Sequence, residues 1–218
     1  MRREYIMGTI TGALLSKPRV FRCIAIGVSA GGMHALSTII PALPKDFPIP
    51  IVVIQHISPL SDNYTTRYLD SISRIHVKEV DEKERLRRGT VYTAPPNYHV
   101  LVEEDETFSL SVEERINFAR PSVDVFFESA AEVYGDSLIG VILTGANSDG
   151  SKGLKKIKEE GGVIVVQDPQ NAEVEGMPKA AIETVTPHFV LKLDELAPFF
   201  VKMAKHGRKK TELIPENI

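Results

Sequence analysis

A single cysteine, Cys23, stands among the 218 residues, which excludes an intramolecular disulfide framework and any zinc site built on cysteine ligands. Its neighbours Phe21, Ile24 and Ile26 mark a buried structural thiol rather than a reactive one. An excess of either charge is also lacking: 26 basic against 29 acidic side chains give a net charge of -3. Nucleic-acid backbone binding needs clustered Lys and Arg, so no nucleic-acid partner is expected. No apolar run approaches the ~18 residues of a membrane-spanning helix, so no stable membrane insertion is expected either. The opening segment, MRREYIMGTITGALLSKP, imitates a secretory signal with Arg2, Arg3 and a following apolar stretch. Glu4, Gly8, Thr9, Thr11 and Gly12 interrupt that stretch, and residues 1–20 are read as a loosely ordered leader of a cytoplasmic protein.

What remains is the material of one full domain, since domains run to ~100 to 200 residues. Area scaling gives roughly 35,000 Å² for the unfolded chain against about 10,000 Å² folded, so some 70% of the surface can be buried. From Phe21 the chain alternates strand, turn and helix. FRCIAIG is a short apolar strand, and GGMHALSTIIPAL supplies a helix with Met33, Leu36, Ile39 and Ile40 on one stripe. Ile51 to Ile54 is a continuous apolar run of the kind shown by strands covered on both faces. A helix around Tyr64 to Ser71 and a strand in IHVKEV follow, then the charged DEKERLRRG as a solvated turn or helix face.

Between Thr90 and Val112, TVYTA, YHVLVEE and TFSLSV alternate apolar and polar residues, which reads as an antiparallel hairpin excursion with one solvated face. The helix PSVDVFFESAAEVYG, the strand LIGVILTG, the helix SKGLKKIKEEG and the strand GVIVVQD resume the alternation. GMPKAAIETV, HFVLKL and the helix DELAPFFVKMAK complete it, with Leu196, Phe199, Phe200 and Met203 as core contacts. The expected fold is α/β: a doubly wound, mainly parallel sheet with helices on both faces. One domain spans 21–205. The tail 206–218, with its KHGRKK run, reads as a solvated basic end, a weak anionic-partner site being the alternative.

Ligands of such sheets bind at the carboxyl ends of strands, so the residues just past each strand are the candidates for chemistry. After the first strand comes Gly27-Val28-Ser29-Ala30-Gly31-Gly32. A serine among small residues at a strand-to-helix turn can be a nucleophile on a sharp bend, or simply a capping serine in a glycine-rich turn. A dinucleotide fingerprint fits poorly, because Ser29 occupies the middle glycine position and the second strand ends in Gln55-His56 rather than in an acidic residue. His56 is either a satisfied structural histidine or, at the neighbouring strand end, a general base for Ser29. Asp149, in Thr144-Gly145-Ala146-Asn147-Ser148-Asp149-Gly150, is either the N-cap of the next helix or the carboxylate that orients the His56 ring.

Five ordered motifs carry a resemblance: GVSAGG, VIQHI, ARPSVD, GVILTG followed two residues later by NSDG, and EGMPKAAI. Together they resemble the catalytic domain of the CheB-type protein-glutamate methylesterases of chemotaxis, over about Phe21 to Ala204. The resemblance implies a parallel doubly wound sheet with an antiparallel hairpin and a Ser-His-Asp triad at Ser29, His56 and Asp149. It implies hydrolysis of γ-glutamyl methyl esters on receptor signalling helices, with deamidation of receptor glutamines in many members, and no metal or organic cofactor. Backbone amides of Ala30, His56 and Ala146 are candidate oxyanion donors, and Arg120 is a candidate substrate contact. Ser122 and Asp124 read either as helix start and capping or as substrate contacts.

The chain departs from the family pattern at three places. Ala146-Asn147 stands where Met-Gly is usual, Ala30 where Thr is common, and Asn117-Phe118-Ala119 where a basic, His-containing stretch is usual. Family members usually carry an N-terminal receiver domain, whereas about twenty residues precede the first strand here. The expectation is a stand-alone catalytic domain, with a separate regulatory protein as a candidate partner. Two other functions remain open: a small-molecule α/β serine hydrolase using a later histidine such as His188, and a non-catalytic interaction module on the same scaffold.

Overall fold

A computed structural model describes residues 19–116 and 118–208. Seven strands form one parallel sheet: β1 (Cys23–Val28), β2 (Ile51–Gln55), β3 (His76–Glu79), β4 (Thr90–Thr93), β7 (Leu138–Ile142), β8 (Val163–Gln167) and β9 (Phe189–Leu191). Their order across the sheet is β3-β4-β2-β1-β7-β8-β9. Strands β5 (His99–Val102) and β6 (Phe108–Ser111) pair antiparallel as a separate hairpin. The helices are α1 (Gly32–Ile39), α2 (Tyr64–Ile72), α3 (Val123–Tyr134), α4 (Ser151–Glu159), α5 (Gly176–Thr184) and α6 (Leu193–Arg208). The leader to Pro18 and the tail beyond Arg208 lie outside the described residues, and the last residues of the expected 21–205 domain run on into α6 as far as Arg208.

Period-two alternation in β1 sorts its side chains between two cores. Ile24, Ile26 and Val28 join the cluster under α1, α2 and α6, which includes Leu36, Leu69, Leu196, Phe200 and Met203. Burying side chains of that size is worth roughly 1.5–3 kcal/mol each. Cys23 and Ala25 face the other core, with Phe126 and Phe127 of α3, Leu154 of α4 and Met177 of α5. The small residues on that face let α3 settle close: a Cβ at Gly27 would lie 2.3 Å from Val123 Cγ1. This contact carries the start of α3 to the carboxyl end of β1.

The hairpin is narrower than the alternating pattern implies. Only His99–Val102 and Phe108–Ser111 form it, packed on α3. Thr90–Thr93 lies inside the parallel sheet between β2 and β3, with all four residues buried. Its threonines look like solvent-facing positions in sequence, yet Thr93 Oγ1 donates to Lys78 O at 3.3 Å and accepts from Thr66 Oγ1 at 2.8 Å. The Thr93 hydroxyl is satisfied inside the protein, so it is tolerated in a buried strand.

The chain runs outward from β1 to β2, β3 and β4, then crosses back to β7 on the other side of β1. Such a reversal opens a crevice at the carboxyl edge of the sheet, where ligands of these folds bind. Among the described residues, no helix is long and apolar enough to cross a membrane.

Candidate active site

Ser29, His56 and Asp149 all follow strands that meet at that crevice. Val28 of β1 is in register with Gln55 of β2, so Ser29 and His56 are the next residues on adjacent strands. The His56 amide donates to Val28 O at 3.1 Å, and the Ser29 amide donates to Thr144 O at 3.0 Å. Backbone pairing therefore holds the serine between the ends of β2 and β7. The chain then turns at Gly31, whose φ of 80° is readily adopted only without a side chain. Thr144 Oγ1 braces the turn by donating to Ala30 O at 2.8 Å.

Ser29 and His56 line one cleft of about 280 Å³, with Ile57, Pro59, Arg115, Phe118, Ala119, Arg120, Pro121 and Asn147 around it. On its buried side the His56 ring contacts Asp149, Nε2 to Oδ2 at 2.7 Å. Its other nitrogen, Nδ1, lies 3.4 Å from Asn147 Nδ2. Among the described residues no hydrogen bond joins the ring to Ser29.

Asp149 has a fully buried side chain. It does not cap its own following helix. Its Oδ1 accepts from Ser122 Oγ at 2.9 Å and the Asp124 amide at 3.1 Å, and its Oδ2 accepts the Val123 amide at 2.7 Å. These amides are the start of α3, so the carboxylate also lies at the positive end of that helix dipole. Burial pushes the Asp149 carboxyl upward, but the His56 hydrogen bond and the Val123 and Asp124 amides outweigh it and hold the group below the usual carboxylate range. An ionised carboxylate fixed against an imidazole N–H can orient the ring and stabilise an imidazolium.

Ser122 is fully buried and Asp124 nearly so, which removes both from direct contact with a substrate. Ser122 orients Asp149. The carboxylate of Asp124 accepts the Gly153 amide of α4 at 2.8 Å. Burial, with the nearby Asp149 charge, raises it to about 6.

Arg120 lines the cleft, but four of its five N–H groups are already engaged. Nε and Nη2 donate to Asn97 Oδ1, and Nη1 donates to Val112 O and Glu113 O. The expected substrate contact is thus primarily a clamp on the cleft wall. The His56 amide is likewise spent on Val28 O, which takes it out of the set of oxyanion donors. The amides of Ala30 and Ala146 have no acceptor among the described residues.

His188 is excluded as a base for Ser29. Its amide donates to Ile164 O and its Nδ1 accepts the Ile164 amide. Ile164 stands in register with Gly140 and, through it, with Ala25, four residues before Ser29 on β1. Burial, with Lys158 and Arg19 nearby, lowers the His188 pKa to about 4. Among the described residues no group of three His, Cys, Asp or Glu could hold a metal ion.

A model of the CheB methylesterase family matches residues 24–200. The chain belongs to the CheB methylesterase family. Over 187 residues it is 56% identical to a chain of Leptospira interrogans that bears the name putative protein-glutamate methylesterase/protein-glutamine glutaminase, covering 86% of this chain and 97% of that one. A protein-glutamate methylesterase/protein-glutamine glutaminase of Thermotoga maritima is 41% identical over 181 residues, and one of Archaeoglobus fulgidus 42% identical over 164. The matches cover 81% and 74% of this chain but 53% and 47% of those proteins, so the chain spans about half their length. The crystal structure of the Thermotoga maritima CheB methylesterase catalytic domain superposes with a TM-score of 0.81 at 38% identity, covering 84% of this chain and 98% of that one.

Each motif shared with CheB methylesterases has a structural task here. GVILTG supplies Thr144, whose amide is held by Gln167 Oε1 at 2.9 Å. EGMPKAAI braces the same loop, because the Met177 amide donates to Gly145 O at 2.8 Å. ARPSVD supplies the Arg120 clamp and the donors around Asp149. Sequence reasoning assigned no bond to Asn97, Gln167 or Asn147; the motif spacing marked the loops but not these side-chain contacts.

Proposed function

We propose that the protein is a serine esterase that hydrolyses γ-glutamyl methyl esters on chemoreceptor helices in the cytoplasm, with Ser29 as nucleophile, His56 as base and Asp149 as the carboxylate that orients it. The observation that carries this reading is the 2.7 Å contact between His56 Nε2 and buried Asp149, with Ser29 at the adjoining strand end of the same cleft. The names of the relatives supply the substrate class. A protein substrate also suits the rim: Phe118 on the cleft wall is 97% exposed and Leu60, next to Pro59, is 94% exposed. An exposed bulky apolar side chain on a cleft wall, as Phe118 is, suits contact with another protein.

In this mechanism the Ser29 hydroxyl gives its proton to His56 Nδ1 as its oxygen attacks the ester carbonyl. Asp149 holds Nε2–H and offsets the imidazolium charge. The amides of Ala30 and Ala146 are the proposed donors to the tetrahedral oxyanion. Collapse expels methanol, which takes the proton from Nδ1 and leaves a glutamyl ester on Ser29. Water then attacks, gives a proton to Nδ1, and the second collapse returns that proton to Ser29. The products are methanol and a glutamate side chain, which ionises with release of one proton. A glutamine substrate follows the same path with ammonia leaving, and we extend the proposal to that deamidation.

Mass spectrometry of methylated receptor peptides, incubated with wild type and with Ser29→Ala, tests the reading. Ser29→Ala, His56→Ala and Asp149→Asn are each expected to cut turnover by about 10³ to 10⁶ with the fold intact. Full ester hydrolysis by Ser29→Ala would overturn it.

A further inference from the structure

Asn147 links Asp149 to His56. Its Oδ1 accepts the Asp149 backbone amide at 3.2 Å, and its Nδ2 lies 3.4 Å from His56 Nδ1. The two contacts set each other's sense. A backbone amide can only donate, so the Asn147 carbonyl faces Asp149 and its NH₂ faces the imidazole. An amide NH₂ can also only donate, so Nδ1 is the bare, accepting nitrogen and the ring proton sits on Nε2. That is the tautomer demanded independently by the Asp149 carboxylate on the other side of the ring.

The two neighbours differ in what they do to a second proton. The Asp149 carboxylate favours imidazolium. Asn147 opposes it, because a proton on Nδ1 would point at an NH₂ group, donor against donor. The other charged side chains around the ring are Arg115 and Arg120 on the facing cleft wall and Asp124 behind Asp149.

We propose that Asn147 is a positioning residue that holds the His56 ring in the tautomer with its proton on Nε2 and its Nδ1 lone pair bare between turnovers. The proposal rests on Ser29 and His56 being nucleophile and base. Residues 146–148 are exposed, so the Asn147 side chain can turn into solvent when Nδ1 accepts the serine proton.

Asn147→Asp and Asn147→Gly test this through two readouts. The first is an NMR titration of the His56 ring, which needs no substrate. The second is the pH dependence of Ser29 labelling by a fluorophosphonate probe. Asn147→Asp keeps an acceptor for the Asp149 amide and replaces the donor by a charge, whereas Asn147→Gly removes the donor and that acceptor together and adds no charge. The His56 midpoint and the acid limb of labelling are expected to move to higher pH by about one unit in Asn147→Asp and about half a unit in Asn147→Gly. On the acid limb this is about tenfold and about threefold slower labelling. Unchanged midpoints in both variants would overturn the proposal. So would a shift confined to Asn147→Asp, since the new charge alone would explain it. If wild type is not labelled at any pH, the esterase reading fails, while the ring titration still decides the role of Asn147.

Discussion

Asp124 and Asp149 each place a carboxylate on the start of the other's helix. Asp149, just before α4, accepts the Val123 and Asp124 amides that begin α3; Asp124, in the first turn of α3, accepts the Gly153 amide in the first turn of α4. The exchange locks two helices together directly behind His56. It also puts two buried carboxylates close together, and the cost falls on one of them. Asp149 stays ionised below the usual range while Asp124 is raised to about 6.

Asp124→Asn tests that division. Burial and the Asp149 charge disfavour ionised Asp124 in the folded state, so the folded protein keeps a proton that the unfolded chain releases from about 3.8 upward. The stabilising contribution is therefore full below about 3.8 and is lost as the pH rises through about 6. Thermal denaturation between about pH 3.5 and 8 is expected to show wild-type Tm losing that contribution across this window, and Asp124→Asn losing less.

Ser122→Ala removes one donor to Asp149 and leaves the backbone untouched. Loss of one charge-assisted hydrogen bond costs about 1.5–3 kcal/mol. Urea denaturation is expected to show a destabilisation of that order. Ester turnover should drop by about tenfold, because the ring held by Asp149 is less firmly placed.

Gly145→Ala probes the packing behind the serine. A Cβ at position 145 would stand 2.0 Å from Met177 Sδ and 2.9 Å from Ser29 Cβ. The overpacking is expected to cost about 1–3 kcal/mol. Displacement of Ser29 by even ~1 Å is expected to lower kcat/KM by about 10². Unchanged kinetics would show that Met177 yields instead of the serine.

His188→Ala separates structure from chemistry. It removes the acceptor of the Ile164 amide, a loss of about 1–3 kcal/mol. Methyl ester hydrolysis should stay within about threefold of wild type, whereas His56→Ala should cut it by about 10³ to 10⁶. The depressed His188 pKa also gives an acid signature. Its contribution is full above 6.5 and is lost as the pH falls toward about 4, so the variant should show a shallower loss of Tm in that range.

The strand, turn and helix alternation was legible because buried parallel strands read as uninterrupted apolar runs, as Ile51–Ile54 and Leu138–Ile142 do. Thr90–Thr93 was misread because its pattern alternates, and only the pairing of Thr93 with Thr66 and Lys78 shows how a polar strand can be buried. The meeting of Ser29, His56 and Asp149 at one edge follows from their positions after strands that become neighbours around β1. What Asp149 accepts was not legible. Its donors lie 25 to 27 residues away at the start of α3, and a carboxylate before a helix looks in sequence like that helix's own cap. Arg120 shows the same limit, since the loop it clamps is defined only once the hairpin is folded.

The contact between His56 and Asp149 spans 93 residues of chain. At translation rates of roughly 5 to 20 residues per second, the histidine leads its carboxylate from the ribosome by about 5 to 20 s. During that interval the nascent chain holds the serine and the imidazole but not the group that orients them. The proposed chemistry becomes available only after β7 has paired with β1, so hydrolysis would report the docking of β7 rather than the addition of β8 and β9.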